Sequence, residues 1–551
     1  MPKRYDYKLT LTPRETQFPE HDRRLKQLEV CALVAGVIAA VVERGLMHVT
    51  SVRHWELGFL VIVSMLVMTG SAALRYRWSL TRSSFFRDNR PAIVLVILWT
   101  VGFVSILIFG PFLPNWSGQQ VERSHAILGL SELLVVLLGL AAIGRVTSRA
   151  TAGGINPALV LIGTFVALIG IGTALLMLPR SRSEFAPDDE PFGARFRIAV
   201  FTSTSASCVT GLTVVPTNEY WSRTGQAVIM GLFQIGGLGI MTCGAFFAVA
   251  AGNQLQIRES AALRDLLESN ALGDVTRMLR TIVVFTLAAE LLGAIAISGL
   301  FSNMSAGDQV FYSVFHSVSA FCNAGFSLTD DSFVRFGTRW QVWIVVAALI
   351  IAGGLGFAVI YNSFLVAYTR LKRLKRPPLF SLPTARARFT LSSRLILLTT
   401  AGLLVFGASP GSTGGGVKTV AFALTILALI ATLRGRRHVE FFGRRIPDQQ
   451  ITHALTIISL GVFAIFAAAG LLVLFENRPE RFVDHMYEAT SAFATVGVSA
   501  GVTPGLTPPS QYVIVVTMLL GRVGPLTLLM ALHQRADEAR YQYPEERIML
   551  G

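Results

Sequence analysis

Charge is what this sequence has least of. Only 15% of its 551 residues are Asp, Glu, Lys or Arg, against roughly 25% in a soluble domain. Apolar residues make up 52%, and mean hydropathy is +0.56. That balance excludes a water-soluble globular enzyme and any disordered or fibrous class. Cysteine is scarce too: Cys31, Cys208, Cys243 and Cys322 lie in or beside apolar segments. Their spacing fits neither a metal site nor a disulfide framework. Enzyme constellations are missing as well, with no His-Glu-x-x-His and no nucleophile elbow. Gly411 to Thr419 is Gly-rich and ends in Lys-Thr, but Val417 stands where a phosphate loop needs glycine. Neither enzyme activity nor a cofactor is expected. The stretch from Met1 to Lys26 is polar and mixed in charge, so a cleavable signal peptide is not expected.

What is present is long apolar runs. A spanning helix needs about 20 mostly apolar residues. Candidates are Leu28–Val42, Trp55–Leu74, Pro91–Leu113, Ala126–Ile143, Pro157–Leu178, Gly225–Ala250, Ile282–Phe301, Trp340–Ala367, Ala454–Phe475 and Tyr512–Leu532. A further run, Leu395–Leu433, is broken by Ser409-Pro410-Gly411-Ser412-Thr413-Gly414-Gly415-Gly416. The net charge of +15 would suggest nucleic acid on a soluble protein. Here the basic residues sit between apolar runs, so the partner is a lipid membrane and no nucleic acid is expected. Residues 75–90, 370–394 and 434–445 are strongly basic, which places them in the cytoplasm together with the N-terminus. Segments 179–199 and 476–484 then fall outside.

Three segments align without gaps on one glycine: Phe201-TSTSASCVT-Gly211, Phe315-HSVSAFCNA-Gly325 and Tyr487-EATSAFATV-Gly497. Each carries Ser-Ala at its fifth and sixth positions, and an apolar residue then Ser or Thr after the glycine. Glycine-containing steps at Gly236, Gly353 and Gly521 follow at similar but unequal spacings. Each unit reads as helix, short segment, glycine turn, helix. The short segment cannot span, so it dips into the membrane and returns. Backbone of that kind is tolerated only when buried in protein or lining a watery cavity. Several such loops on one axis make a pore in which carbonyls replace an ion's hydration shell. The expected fold is an all-α polytopic membrane protein, with helix–pore loop–helix units around a pseudo-symmetric ion pore.

These stretches resemble the Trk/Ktr/HKT superfamily of potassium transporters, of the TrkH and KtrB subunit type. The matching residues are Ser205-ASCVTGLTV, Gln234-IGGLGIMT, Phe321-CNAGFSL, Ser409-PGSTGGGVKT, Ser491-AFATVGVS and Gly521-RVGPLT, over roughly residues 151–535. The resemblance implies four repeats around one pore, a homodimer, and a cytoplasmic nucleotide-binding ring that controls opening, in the bacterial plasma membrane. It implies a filter, here Val209, Thr210, Gly211, Asn323, Ala324, Gly325, Thr495, Val496 and Gly497, with potassium as the transported ion. Gly211 favours potassium, because sodium-selective relatives carry Ser there. It implies a gate at Ser409, Pro410, Gly411, Ser412, Thr413, Gly414, Gly415, Gly416 and Lys418, and an arginine projecting towards the pore, Arg522.

The expected organisation is an N-terminal extension of about four helices (1–150) and pore repeats at 151–260, 261–375, 376–447 and 448–551. The third repeat is truncated. The pitch from Gly211 to Gly325, taken twice more, would carry the last glycine beyond Gly551. That glycine stands at Gly497 instead, so about half of one repeat is absent, near 379–383. A re-entrant hairpin from the cytoplasmic side, tipped by Ser409–Gly416, is expected in its place. Three readings of the gap stand: an error in the gene sequence, a non-conducting scaffold or sensor, and a natural variant of weak sodium/potassium selectivity. His316 and Glu488 share one repeat position with Thr202. A carboxylate there either draws cations to the outer mouth or is a buried hydrogen-bond partner. Glu132 and Glu290 each bond a neighbouring helix or serve the pore.

Overall fold

The computed structural model describes residues 51–78, 157–183, 196–251, 272–329, 331–355 and most of 413–524, with scattered residues between 21 and 101. The chain divides into two compact units, Met1–Arg149 with Leu178–Arg180, and Ala150–Met177 with Ser181–Gly551. In the first unit α1 spans Ser51–Trp78. Described residues between 21 and 39 are helical. They meet α1 through Glu29, whose carboxylate takes Arg75 at 2.9 Å and the Ser71 hydroxyl at 2.5 Å. The expected span Ala126–Ile143 lies outside the described residues, as do Glu132 and Cys243's side chain.

The second unit is built of helical hairpins. α2 (Pro157–Leu176), α3 (Phe196–Ser207) and α4 (Arg223–Ala251) form the first unit of the repeat. α5 (Leu272–Ile297), α6 (Ala306–Cys322) and α7 (Ala347–Gly354) form the second. α9 (Asp448–Glu476), α10 (Phe482–Ala494) and α11 (Pro508–Val523) form the last. Between them α8 (Thr419–Leu433) leads into a hairpin of two two-residue strands, Glu440–Phe441 against Arg444–Arg445. At 1.5 Å per residue, the 12 residues of α3 and 13 of α10 reach about 20 Å. A hydrocarbon core is about 30 Å thick, so neither crosses it. Thr281–Phe301 and Asp448–Glu476 are long and apolar enough to cross. The fold is an all-α polytopic membrane protein.

Several expected boundaries shift. α5 starts at Leu272, well before Ile282, because its first turns are amphipathic rather than apolar. The span expected from Trp340 opens with a π-turn at Val342–Val346 before α7, and residues beyond 355 are not described. α11 begins at Pro508 rather than Tyr512 and has Gly524 (φ +89) at its C-cap; residues 525–532 of the expected span lie outside the described residues. Composition does not see that stop: Gly524 turns left-handed and Pro525 follows.

The glycine steps now have a physical role. A Cβ on Gly236 would strike the carbonyl of Ser207; on Gly353, that of Phe321; on Gly521, that of Phe493. Each carbonyl belongs to the residue four before a repeat glycine. Three different sequence spacings therefore give one contact, the return helix pressed on the end of the short helix. Overpacking costs about 1–3 kcal/mol. Gly353→Ala is expected to lower the thermal midpoint of the solubilised protein. Gly470→Ala, with nothing within 4 Å of the added carbon, should not, and a fluorescence melt separates them.

Candidate functional site

The three short helices end alike. Val209, Asn323 and Thr495, each two residues before a repeat glycine, have φ of 58, 58 and 50°. Each is followed by an N–H that reaches back five residues: Thr210 to Ser205 O at 2.7 Å, Ala324 to Ser319 O at 2.8 Å and Val496 to Ser491 O at 3.0 Å. This is a Schellman turn, and its acceptor is the serine of the repeated Ser-Ala pair. Left-handed backbone suits Asn; for β-branched Val209 it costs about 1–2 kcal/mol. Gly211, Gly325 and Gly497 follow at φ 89, 73 and 83°.

These turns bring the three glycines together. A Cβ on Gly211 would lie 2.5 Å from Ala324 O and 2.8 Å from Gly325 Cα. One on Gly325 would lie 3.2 Å from Gly211 Cα, 3.4 Å from Thr210 O and 3.9 Å from Val496 O. One on Gly497 would meet Thr210 O and lie 3.1 Å from Gly211 Cα. The carbonyls of Thr210, Ala324 and Val496, each one residue before its glycine, therefore share one small space. The C-termini of α3, α6 and α10 end beside it, and the negative end of a helix dipole favours a cation. The loops touch, with no side-chain-sized gap between their glycines.

Beneath them lies the described part of the Gly-rich stretch: Thr413, Gly415, Gly416 and Lys418. Ser409, Pro410, Gly411, Ser412 and Gly414 lie outside the described residues. Gly415 N–H donates to Thr495 Oγ1 at 2.8 Å, and Gly416 N–H to Gly521 O at 3.0 Å. Asn323 Nδ2 donates to Thr413 Oγ1 at 2.8 Å. The Asn323 amide thus turns away from the shared space, and only its backbone shapes the loop. Buried Arg522 donates from one nitrogen to Thr413 O and from another to Gly236 O at 2.6 Å. The segment is bonded directly to the second and last units, and Arg522 links it to Gly236 of the first. Lys418 precedes α8 with extended backbone.

His316 and Glu488 are buried. His316 Nε2 accepts from Leu328 N–H at 3.2 Å, so its Nδ1–H donates to Tyr312 O at 2.8 Å. Glu488 accepts from Ala500 N–H at 3.0 Å, Thr503 Oγ1 at 2.7 Å and the Ser499 hydroxyl. Of the two roles open to them in the sequence, the structure gives the buried hydrogen-bond partner. Glu290 accepts from Gln234 Nε2 of the neighbouring helix α4 at 3.0 Å, and Cys322 Sγ donates to Gln234 Oε1 at 3.3 Å. Cys208 and Cys322 are buried packing residues.

The profile of the TrkH family, cation transport protein, matches residues 155–391 and 389–541. The chain belongs to the TrkH family. The potassium/sodium uptake protein NtpJ of Enterococcus hirae is 33% identical over 448 residues, covering 72% of this chain and 98% of that protein. The Ktr system potassium uptake protein B of Vibrio alginolyticus is 33% identical over 454 residues, covering 73% and 96%. The solved potassium transporter TrkH from Vibrio parahaemolyticus is 16% identical, with a TM-score of 0.49, over 90% of this chain and 98% of that one. As a family member the chain is a membrane transport protein and not an enzyme. The NtpJ alignment runs over 448 residues, more than 72% of a 551-residue chain can fill; part of that relative has no partner here. The TrkH profile itself is matched in two pieces that meet at 389–391.

In this TrkH-family chain Arg522 holds the Gly-rich segment through carbonyl bonds. A hydrogen bond to a charged donor contributes about 1.5–3 kcal/mol. Arg522→Gln should therefore loosen the segment. A cysteine in place of Thr413 should react with a membrane-permeant maleimide about tenfold faster in that background, read by mass shift. Equal rates would mean Arg522 does not restrain it.

Proposed function

We propose that this chain is a potassium-uptake subunit of the plasma membrane. Potassium passes between the three loops, coordinated by the carbonyls of Thr210, Ala324 and Val496 and the backbone flanking them at Val209, Gly211, Asn323, Gly325, Thr495 and Gly497. The Gly-rich stretch 409–418 beneath is the gate, and Arg522 its electrostatic latch. Movement is passive, driven by the membrane potential at about 2.3 kcal/mol per charge per 100 mV. The observation that carries the reading is the convergence of three equivalent glycine hinges, each with its preceding carbonyl turned to the same space. The naming of two relatives as potassium or potassium/sodium uptake proteins supports the ion. The proposal includes a homodimer on a cytoplasmic nucleotide-binding ring, with the N-terminus in the cytoplasm. The basic stretches 370–394 and 434–445 support that side for the ring.

A truncated third repeat is part of the proposal, supported by the unpartnered part of the NtpJ alignment and the split match. Three loops supply three quarters of a four-fold carbonyl ring, and selectivity depends on ligand number. The close contact of the loops favours a second reading, a weakly selective or non-conducting member of the fold.

Expression in a bacterial strain unable to take up potassium separates these. Rescue of growth in low potassium is expected; verified membrane insertion without rescue sinks the transport reading. Gly211→Ser adds a side chain against Ala324 O on left-handed backbone. It should cut the potassium-to-sodium preference about tenfold, equivalent to about 1.4 kcal/mol, in rubidium and sodium flux.

A further inference from the structure

The loops are not equally supported. Gly211 is buried, whereas Gly325 is exposed, and Val496 and Val498 are each 51% exposed. The aromatic residue that opens each repeat tells the same story. Phe315 packs on Phe233 of the preceding unit at 5.4 Å and is buried, and Phe201 is buried on its own side. Tyr487, whose preceding unit is the shortened third repeat, is 46% exposed. Among the described residues, the second and last loops each have the first loop on one side and no further short helix on the other. Strands so placed splay or collapse unless something else fixes them.

Something else does. In these two loops, and at one repeat position, a polar acceptor on the short helix takes the N–H three residues past the glycine. His316 takes Leu328 N–H, and Glu488 takes Ala500 N–H. In each case the serine two residues past the glycine joins the bond: Ser327 Oγ lies 3.2 Å from His316 Nε2, and the Ser499 hydroxyl donates to Glu488. Ring and carboxylate are chemically unrelated, yet they make the same tie. The first loop, enclosed on both sides, has Thr202 at that position.

We infer that His316 and Glu488 are positioning residues for ion selection, each bracing one of the two filter strands beside the shortened repeat in place of the neighbour it lacks. This rests on the filter reading above. The working feature is the pair of bonds each acceptor takes from its strand, one from a backbone N–H and one from a serine hydroxyl. Leu328 is buried, and its N–H left without an acceptor costs about as much as a lost hydrogen bond. At exposed Ala500 the buried Glu488 carboxylate holds the strand by the bonds it takes from the Ala500 N–H and the Ser499 hydroxyl, which an apolar residue of similar size cannot take.

The test uses the full chain in liposomes with rubidium and sodium flux. Glu488→Leu and His316→Leu are expected to bring the rubidium-to-sodium ratio down at least tenfold. Glu488→Gln, which keeps an acceptor for Ala500, should hold it within about threefold of the parent. Thr202→Val should leave it unchanged. Ser327→Ala with Ser499→Ala removes donors from the strands without touching the helices, and should lower the ratio even where the leucine variants fail to fold. Flux with an unaltered ratio in the leucine variants or the double serine variant overturns the inference. So does an equal fall in Thr202→Val, which would make the effect ordinary packing. A parent without flux defeats the filter reading instead. The brace is then judged by amide exchange at Leu328 and Ala500, expected to be slow in the parent and much faster in the leucine variants; unchanged exchange overturns it.

Discussion

A backbone carbonyl turned towards an ion at membrane depth must be held there by something other than secondary structure. In a helix every carbonyl is spent on the helix itself, and in lipid an unspent one costs several kcal/mol. The chain meets this constraint with one device used three times. A short helix stops in a Schellman turn, a left-handed residue reverses the path, and a glycine carries it on with positive φ. The repeated serine is where it is because its carbonyl receives the closing N–H. The return helix is glycine-stepped because that helix must press on the carbonyl of Ser207, Phe321 or Phe493. Strain at Val209 is tolerated because the turn is buried and closed by the N–H bonds of Val209 to Ala206 O and of Thr210 to Ser205 O.

Symmetry of the device does not extend to its surroundings. Gly211 of the first loop is buried, whereas Gly325 of the second and Val496 of the last are exposed. The polar ties at His316 and Glu488 fall on the two more exposed loops. Glu476 does related work one layer out. Its carboxylate takes both the N–H and the hydroxyl of Thr507 at 2.8 Å, fixing where α11 begins. Buried Glu488 and half-buried Glu476 both serve as acceptors for backbone N–H.

Much of this was legible in the residues. The ungapped alignment of Gly211, Gly325 and Gly497 predicts equivalent places, and these are the glycines the fold brings into contact. Polar-poor runs predict most of the helices. The rest was hidden for physical reasons. The left-handed position is held by Val209, Asn323 and Thr495, which share no side-chain chemistry, because the backbone path is imposed by the turn and not chosen by the residue. His316 and Glu488 look unrelated, because a ring nitrogen and a carboxylate oxygen serve equally as acceptors. The break at Gly524 was hidden because apolar content continues through it, while helical backbone φ does not.

The same hidden residues join the loops to the segment beneath them. Asn323 and Thr495 are at once the left-handed caps of two short helices and the partners of Thr413 and Gly415. Arg522 closes the circuit by tying Thr413 to Gly236, the glycine that packs on the end of the first short helix. A movement of the Gly-rich segment large enough to clear the axis must break or carry with it bonds to two of the three caps. Displacement of the Gly-rich segment and the spacing of the loop carbonyls are therefore not independent variables in this chain. That coupling falls on the second and last units, because the two caps involved, Asn323 and Thr495, belong to them.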